Sequence, residues 1–372
     1  MVSVTVWMNM PSFYQADLFN DLVSSDEIDL QIIYARKLSS DRVELGWQQK
    51  DEGCKTKTLS GSLPLKTIFQ LVWAGRKRTH IVNGIWAEPK FITALLFLLF
   101  FNCSFIIYSE APEKGQYRSS IKLLFQKLFG RLVARRAKGL LAVSHFASEF
   151  YEKIGFSQKQ IYPFGYFRSG QNGFEKSKNQ GNTEIIFIGQ LIRRKGVDIL
   201  LEAIAPLFNE YENLYLIIIG DGEEKTALKE FVSEKKIDKR IAWEGVVQSK
   251  EILSRLEKAY ILILPSRWDG WGMVINEAFS IGVPVIVSDQ CGAADLVKPN
   301  INGYVFKSED VKDLRRCLRE SLDLKDRLKD LKQNAFETSK TISSQAAAPY
   351  LIECLKHATG QIEKRPPPPW IQ

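Results

Sequence analysis

Four residues are the best candidates for chemistry in this chain: Asp269, Gly270, Gly272 and Glu277. The two glycines let backbone N–H groups approach a ligand closely, and the helix predicted to start after them is a ready site for an anion. Asp269 lies in the loop and Glu277 on the first helical turns, so both carboxylates can face one ligand. Carboxylates accept hydrogen bonds but repel anions. The arrangement therefore predicts contacts with sugar hydroxyls beside a bound phosphate.

The flanking residues predict how this loop is held. An apolar run at 261–264 predicts a buried parallel strand, a helical pattern covers 273–281, and another buried strand is predicted at 284–287. These elements make a strand–glycine loop–helix–strand unit. The alternative is an ordinary βαβ unit whose glycines only make a turn, and the two acids are what favours a ligand site.

This stretch resembles the donor-site motif of the retaining family 4 glycosyltransferases of the GT-B fold (glycosyl transferases group 1). That motif is an acid, Gly-aromatic-Gly, and a second acid followed by Ala, with seven residues between the acids, as between Asp269 and Glu277. The usual first acid is Glu, so Asp269 is a departure. The resemblance implies that Glu277 binds ribose hydroxyls and Asp269 binds the donor hexose. It assigns these residues to the donor: Asp269, Gly270, Trp271, Gly272, Met273, Val274 and Glu277.

A second group of candidates follows the predicted strand 184–189. Cations beside a helix start suit a diphosphate, and Arg193, Arg194 and Lys195 precede Gly196 and a predicted helix. The family pattern is Gly-Arg-Leu followed by Lys-Gly, and Gln190 stands where the arginine is expected. The resemblance implies a charge partner in Lys195 and a replacement cation in Arg193 or Arg194, whereas the alternative is a solvated basic turn. The donor residues assigned here are Gly189, Gln190, Arg194 and Lys195.

Two further turns resemble the family's nucleotide pocket. Gly220-Asp221-Gly222 is similar to the turn that lines this pocket, and Gly245-Val246-Val247 is similar to the loop whose backbone holds the base. Gly220 and Val247 complete the donor-binding set that the resemblance implies. Backbone recognition of a base edge favours uracil.

Strands alternate with helices in both halves of the 372 residues, which predicts an α/β fold with parallel doubly wound sheets. The architecture expected is GT-B, with two Rossmann-like domains facing across a cleft. No G-x-G-x-x-G follows the first predicted strand, which argues against dinucleotide binding. Residues 36–62 are expected to be mostly loop. The predicted parts are an acceptor-binding domain at 1–165, a linker at 166–183, a donor-binding domain at 184–340, and a helix crossing back to the first domain plus an extended Pro-rich tail at 341–372.

The N-terminal half departs more from the family pattern. Family members often carry His-Asp at the end of the fourth strand, where this chain has Tyr108-Ser109-Glu110. Glu110 is assigned as a third catalytic residue beside Asp269 and Lys195, with a surface acid as the alternative. The weaker acceptor-side candidates are Tyr14 and Gln15 in a predicted first loop at 8–15, Glu113, and His145 after the fifth strand.

Charge is unevenly distributed along the chain. Residues 1–180 carry 24 Lys+Arg against 15 Asp+Glu, and the whole chain has a net charge of +8. The segment 119–138 predicts a basic amphipathic helix, which either contacts an anionic membrane or only covers the sheet. The apolar segment 91–108 predicts a buried helix broken at Asn102 and then a strand, because its apolar run is shorter than the roughly 20 residues that span a bilayer. No nucleic-acid motif accompanies these charges, so no nucleic-acid partner is predicted.

Together these features predict a hexosyltransferase. It moves a hexose from a nucleotide-diphosphate sugar, UDP-glucose or another UDP-hexose, to a lipid-linked or polysaccharide acceptor with retention, in lipopolysaccharide or exopolysaccharide synthesis. A non-catalytic nucleotide-sugar-binding partner and an epimerase of the same fold are the alternatives. No metal or other cofactor is expected, since no Asp-x-Asp follows a strand and the five cysteines form no C-x-x-C pair. Residues 1–20 do not resemble a signal peptide, so a cytoplasmic location is expected, peripheral to the inner face of the plasma membrane.

Overall fold

The structure of the chain is a computed structural model with two units. It describes residues 1–39, 42–43, 53–59, 64–113, 120–170, 181–323 and 327–371. The side chains of Phe13 and of residues 120–125 are not described. The N-terminal unit comprises Met1–Ser169 and Ile342–Gln372, and the C-terminal unit comprises Gly170–Thr341. Most of the predicted linker, residues 171–180, lies outside the described part of the chain.

Strands and helices alternate along both units. The strands are β1 Val2–Met8, β2 Ile28–Tyr34, β3 Lys55–Thr58, β4 Thr79–Asn83, β5 Phe105–Glu110, β6 Gly139–Val143, β7 Ile161–Phe164, β8 Thr183–Ile188, β9 Leu214–Ile219, β10 Ile241–Gly245, β11 Ile261–Leu264, β12 Val285–Ser288 and β13 Gly303–Phe306. The helices are α1 Phe13–Val23, α2 Leu65–Ala74, α3 Pro89–Phe100, α4 Ser120–Arg136, α5 Ser144–Ile154, α6 Val197–Ile204, α7 Leu207–Glu210, α8 Lys225–Glu234, α9 Ile252–Leu256, α10 Met273–Ser280, α11 Val311–Asp323, α12 Leu328–Thr341 and α13 Ser344–Ala358.

The described strands of the N-terminal unit form one parallel sheet in the order β3-β2-β1-β4-β5-β6-β7. Strand β3 lies within the segment that was expected to be mostly loop, so the expectation is wrong for Lys55–Thr58. All four of its side chains are exposed, so no apolar alternation marks it in the sequence. Its backbone pairing with β2, in which Lys55 lies opposite Gln31, is what makes it a strand.

The two faces of this sheet are covered differently. Helices α2 to α5 cover one face, and their apolar residues share a buried core with Trp7 and Val82 of the sheet. Helices α1 and α13 cover the other face, where Leu18 and Leu351 line a small cavity with Val6. The helix of the C-terminal segment therefore packs in the N-terminal unit. The tail after it also packs there, because the Trp370 ring lies 5.7 Å from that of Tyr350.

The apolar segment 91–108 forms α3 and β5, as predicted. Asn102 has a φ of 53° and lies between them, at the predicted break. Helix α3 buries Phe91 and Leu95 but leaves Leu96 and Phe100 exposed, so the helix is buried on one side only. Among the described residues, no helix combines the length and the apolar character that crossing a membrane requires.

The described strands of the C-terminal unit form a second parallel sheet in the order β10-β9-β8-β11-β12-β13. The predicted pair of Rossmann-like parallel-sheet domains is thus confirmed. The strand order reverses between β8 and β11, and such a switch point is where open α/β sheets build ligand sites. The helix predicted after Gly196 is interrupted at Ile204, because Pro206 has no N–H to continue it. The Arg315 side chain donates to the carbonyl oxygens of Glu202 and Ala203 near this break.

Candidate functional site

An ion pair lies at the switch point of the C-terminal unit. Lys195 Nζ donates to Asp269 Oδ2 over 2.5 Å, which joins the loop after β8 to the loop after β11. The two side chains are 15% and 12% exposed, so the pair is largely removed from water. Two residues that sequence analysis assigned to the donor are therefore in direct contact. The electrostatic attraction between their charges is stronger here, where little water screens it, than on an exposed surface.

The main chain holds Asp269 in place. Its N–H donates to the Gln290 carbonyl oxygen and its own carbonyl accepts from Gly292 N–H, each over 3.0 Å. Its second carboxylate oxygen, Oδ1, lies 3.4 Å from Trp271 N. The carboxylate is thus positioned by backbone on both sides before any ligand binds.

Glycine is required where the first loop meets the second. Gly196 ends the 3-10 turn Arg193–Lys195 and precedes α6, with a φ of 69°. A Cβ atom at this position would lie 2.1 Å from the Pro265 carbonyl oxygen. Only glycine permits both this left-handed backbone and this close approach. The contact places Lys195 at the end of β11.

Gly272 has a similar role at the start of α10. Its φ is 95°, and a Cβ atom there would lie 2.7 Å from Cys291 Sγ. The helix begins at Met273, and Met273 and Val274 are half-buried in its first turn. Glu277 lies one turn further along the same helix and is buried. The predicted combination of a glycine turn, a helix N-terminus and a carboxylate is present in the structure.

Hydrogen bonds of Trp271 stabilise this loop from within. Its indole Nε1 donates to Asn276 Oδ1 over 2.8 Å, and its carbonyl accepts from Ala293 N–H over 2.8 Å. The Trp271 side chain is buried. Any contact of Trp271 with a donor is therefore expected through its backbone, as it is for Gly270, which lies half-buried between Asp269 and Trp271.

Arg267 is a residue that sequence analysis missed. Its guanidinium donates to both carboxylate oxygens of Asp198 on α6, over 2.8 and 2.7 Å. It also donates to the Arg193 carbonyl oxygen and to Glu309, each over 2.8 Å. Although burial by itself would raise it, the hydrogen bonds from Arg267 lower the pKa of Asp198. Arg267 therefore holds together the two loops that carry Lys195 and Asp269, and we call it the Arg267 clamp. Its position two residues before Asp269 is the sequence signal that could have identified it.

Arg194 strengthens the same junction. Its Nη1 donates to the Trp268 carbonyl oxygen over 2.9 Å. Arg194 is thus tied to the loop that carries Asp269, and its role as a replacement for the missing family arginine stays a prediction. Gln190, at the expected position of that arginine, is exposed.

The predicted nucleotide turns meet beside this junction. Gly220 N–H donates to the Gly245 carbonyl oxygen over 2.7 Å, and Gly189 N–H donates to the Ile219 carbonyl oxygen over 3.0 Å. Three predicted turns, from three neighbouring strands, thus lie side by side. Val247 follows two residues after Gly245 and is half-buried.

The loop after β12 also contributes and was not predicted. Besides the two backbone hydrogen bonds that Asp269 makes with Gln290 and Gly292, Cys291 Sγ–H donates to the Trp271 carbonyl oxygen over 2.8 Å. Burial, and then the charge of Asp269, raise the pKa of Cys291 well above its usual value. The thiol is therefore neutral. The rule that neighbouring parallel strands end at the same edge is the signal that could have identified this loop.

The N-terminal unit places Glu110 in a cluster of phenols. Glu110 ends β5 and accepts a hydrogen bond from the Tyr166 hydroxyl. Burial, and then the negative charge of Glu110, raise the pKa values of Tyr108 and Tyr166, so both phenols stay protonated. The Gln15 side chain is hydrogen-bonded to Tyr108. Two predicted residues, Gln15 and Glu110, therefore share this cluster.

The remaining acceptor-side candidates lie apart along the chain. The expectation that Tyr14 and Gln15 lie in a loop is wrong, because α1 begins at Phe13 and Gln15 N–H already donates to the Ser12 carbonyl oxygen. Glu113 is exposed beyond β5, and His145 is the second residue of α5. Their proposed contacts with an acceptor stay predictions.

A known family model matches the C-terminal unit. Residues 170–338 match the family model described as "Glycosyl transferases group 1". The chain is 30% identical over 175 residues to an uncharacterized glycosyltransferase of Methanocaldococcus jannaschii, a match that covers 46% of this chain and 48% of that protein. It is 30% identical over 129 residues to the lipopolysaccharide 1,6-galactosyltransferase of Escherichia coli K12, which covers 34% and 36% of the two chains. These matches therefore span about half or less of the relatives' length.

Matches over nearly the full chain have lower sequence identity but a similar fold. An uncharacterized 41.2 kDa protein in the cps region of Klebsiella pneumoniae is 24% identical over 356 residues, 88% of this chain and 94% of that one. Among solved structures, Anabaena HepE in complex with UDP superposes with a TM-score of 0.74 at 15% identity, covering 96% of this chain and 100% of that chain. The lipopolysaccharide outer core galactosyltransferase WaaB in its apo form gives 0.71 at 16% identity, covering 97% and 99%.

Proposed function

Because residues 170–338 match the family model described as "Glycosyl transferases group 1", we propose that this chain transfers a hexose from a nucleotide-diphosphate sugar to a lipid-linked or polysaccharide acceptor. The observation that carries the proposal is the Lys195–Asp269 pair at the switch point. It lies between the starts of α6 and α10, so a cation, a carboxylate and two helix N-termini converge. A diphosphate needs the cation and the helix N-termini, and a sugar needs the carboxylate.

A UDP-hexose is the proposed donor. HepE, which shares this fold, was solved with UDP-glucose, and one curated relative is a galactosyltransferase. The backbone turns at Gly220 and Gly245 lie beside β8 and β9, where a base edge can be read by main-chain groups. Glu277 is proposed to accept hydrogen bonds from the ribose hydroxyls, and Asp269 from the hexose hydroxyls.

Electrostatic stabilisation of the leaving group is the proposed source of catalysis. The bond between the anomeric carbon and the diphosphate oxygen breaks, and negative charge builds on the departing phosphate. Lys195 and the helix start at Gly272 are fixed in advance toward this charge, which is how preorganised groups lower a barrier. The acceptor hydroxyl oxygen then bonds to the anomeric carbon on the face that the phosphate leaves, and its proton passes to the departing phosphate. This course retains the anomeric configuration. Glu110 is kept as a proposed catalytic residue in the N-terminal unit.

The first experiment is calorimetric titration of the full chain. UDP-glucose, UDP-galactose, UDP-N-acetylglucosamine and GDP-mannose are compared, each with and without EDTA. We expect one UDP-sugar to bind most tightly and EDTA to change nothing. Failure of all four to bind would contradict the donor site. Conversion of one donor into another without an acceptor would identify an epimerase instead.

Lys195→Ala separates catalysis from binding. We expect turnover to fall by about 10²–10³, because a preorganised charge is lost from the leaving group, while donor affinity falls much less. Lys340→Ala is the matched control, since Lys340 also pairs with an acid, Glu337, but is exposed on α12. Equal losses in affinity and turnover would favour a protein that binds nucleotide sugars without transferring them.

A further inference from the structure

Two helices of the N-terminal unit carry a continuous group of aromatic rings. The aromatic cluster consists of Phe69 and Trp73 on α2, Phe97 and Phe100 on α3, and Phe101 after it. Ring centroids are 5.5 Å apart for Phe69–Phe97 and Phe69–Phe101, 5.2 Å for Trp73–Phe101 and 5.0 Å for Phe100–Phe101. The cluster bridges α2 and α3 on the side away from the sheet.

The aromatic cluster lies at the surface. Phe69 is 42% exposed, Trp73 is 48% exposed and Phe100 is 79% exposed. Leu65 precedes Phe69 by four residues and Leu96 precedes Phe100 by four, so each helix presents a second apolar stripe that is also exposed. Other faces of the same helices are buried through Ile68, Val72, Leu95 and Leu98. The core therefore does not account for the outer stripes, and contiguous apolar surface of this kind marks an interaction site.

The charged residues of helices α2, α3 and α4 are all basic. These helices contain seven lysines and arginines and no aspartate or glutamate, and one of the seven, Lys90, is buried. The Arg76 guanidinium lies 4.5 Å from the centre of the Trp73 ring, and Arg136 of α4 donates to the Asn102 side chain, directly after Phe101. By contrast, α1 on the other face of the sheet carries Asp17 and Asp21.

Helix α4 continues the same surface. Leu128 and Leu132 are exposed, whereas Phe129 and Val133 face the core. Lys127 and Arg131 are exposed next to these leucines. The apolar stripe predicted for the 119–138 segment is therefore divided between core and surface. Aromatic and aliphatic side chains flanked by cations, with no acid among them, complement an anionic lipid surface, where rings occupy the interface and cations meet phosphates.

We infer that the outer face of α2, α3 and α4 binds the surface of an anionic lipid bilayer, with the aromatic cluster at the boundary between acyl chains and headgroups. The inserted element is thus the pair α2–α3, and the basic helix α4 supplies charge beside it. A second copy of this chain is disfavoured as the occupant, because the face would bring like charges together. The inference uses no residue of the proposed donor site.

The aromatic cluster is tested by vesicle flotation of the full chain. Neutral phosphatidylcholine vesicles are compared with vesicles that also contain phosphatidylglycerol, and we expect binding to the anionic vesicles. Phe100→Glu places a charge in the boundary and should lower partitioning by about tenfold or more. Ile301→Glu is the matched control, because Ile301 is an exposed apolar residue of the C-terminal unit, and it should bind as the unchanged chain does.

The charged rim is tested separately. Replacing Arg131 and Arg135 by Gln should lower partitioning by about fivefold for each charge removed. Replacing Lys239 and Lys258 of the C-terminal unit by Gln removes the same charge elsewhere and should have little effect. Lipids brominated in the acyl chains should quench tryptophan fluorescence, and Trp73→Phe should abolish most of that quenching.

Three results would overturn the inference. Equal binding to neutral and anionic vesicles would show that charge does not contribute to binding. Unchanged binding by Phe100→Glu would show that the aromatic cluster does not contact the lipid. A dimer that Phe100→Glu dissociates, without vesicle binding, would make this face a contact between copies. Titration of Phe100→Glu with UDP-sugars distinguishes this from failure of the proposed function, since donor binding should be unchanged.

Discussion

The two units share a sheet order but differ in what they build at its carboxyl end. In both, the first six strands follow the same order, with a reversal between the first and fourth. The C-terminal unit uses this reversal to bring glycine turns and the Lys195–Asp269 pair together. The N-terminal unit instead collects the phenols Tyr108 and Tyr166 around Glu110. A site made of close backbone approaches requires particular residues at particular spacings, whereas a cluster of side chains tolerates many solutions.

The largest loss of stability is expected when Gly196 of the C-terminal unit is replaced. Gly196→Ala should lower the free energy of unfolding by about 3 kcal/mol or more, because the new Cβ meets the Pro265 carbonyl oxygen and the backbone is left-handed. Gly360→Ala is the control in the N-terminal unit, since Gly360 has a φ of 76° with no atom within 4 Å of the added Cβ. It should cost only about 1 kcal/mol, as measured by urea denaturation. Similar losses would show that the approach between the loops is not required.

Arg267→Ala should have the next largest effect on the C-terminal unit. The substitution removes the guanidinium that donates to Asp198 and to the Arg193 carbonyl oxygen, so the free energy of unfolding should fall by about 2 kcal/mol. Disorder of the two loops should also weaken binding of the nucleotide sugar. Arg319→Ala removes an exposed pair with Glu210 in the same unit and is the control. Calorimetry and thermal unfolding of both variants measure the difference. If Arg267→Ala binds donor unchanged, the clamp does not position the site.

Acid should destabilise the N-terminal unit through His80. Burial lowers the pKa of His80 to about 4, and Trp7 Nε1 donates to its ring over 3.0 Å. The folded unit keeps His80 neutral while the unfolded chain takes up a proton below about pH 6.5. Stability is therefore full above pH 6.5, and the free energy of unfolding falls by up to about 1.4 kcal/mol per pH unit toward pH 4. All three histidines, at positions 80, 145 and 357, belong to this unit.

The measurement is unfolding free energy from pH 7 to pH 4. His80→Gln should remove the slope contributed by one proton, although its overall stability is lower. His145→Gln is the control, because His145 lies near the surface of α5. A slope that persists in His80→Gln would assign the acid sensitivity to other groups.

The smallest effect is expected for Lys225→Ala. Lys225 pairs with Asp221 in the turn after Gly220, with side chains that are 31% and 49% exposed. Water screens such a pair, so the free energy of unfolding should change little. Donor affinity should stay within about threefold. A loss as large as that of Lys195→Ala would mean that Lys225 also holds the phosphates.

Much of the C-terminal unit could be predicted from the sequence. The run of apolar strands and intervening helices predicted its parallel sheet, and the glycines of 269–277 predicted a turn before α10. The loop at 289–293 and Arg267 were missed, because nothing in their local sequence shows which residues they contact. Their importance arises from hydrogen bonds to Asp269 and Asp198, which lie 20 or more residues away in the chain.

The N-terminal unit was less predictable for the same reason. Strand β3 has an exposed polar sequence, and its pairing with β2 makes it a strand. The apolar sequence of α3 predicted a buried helix, yet Phe100 faces outward, because only one side of a helix can reach the sheet.

The sequence by itself determined the two α/β units and the residue types at the proposed donor turns, since both depend on local periodicity and on backbone conformations that only glycine adopts readily. Tertiary structure decided that Lys195 meets Asp269 and that Arg267 holds their loops. It also decided that the rings of α2 and α3 gather on an outer face. These outcomes depend on how parallel strands align and which helix faces they bury, and such relations join residues that no short stretch of sequence contains.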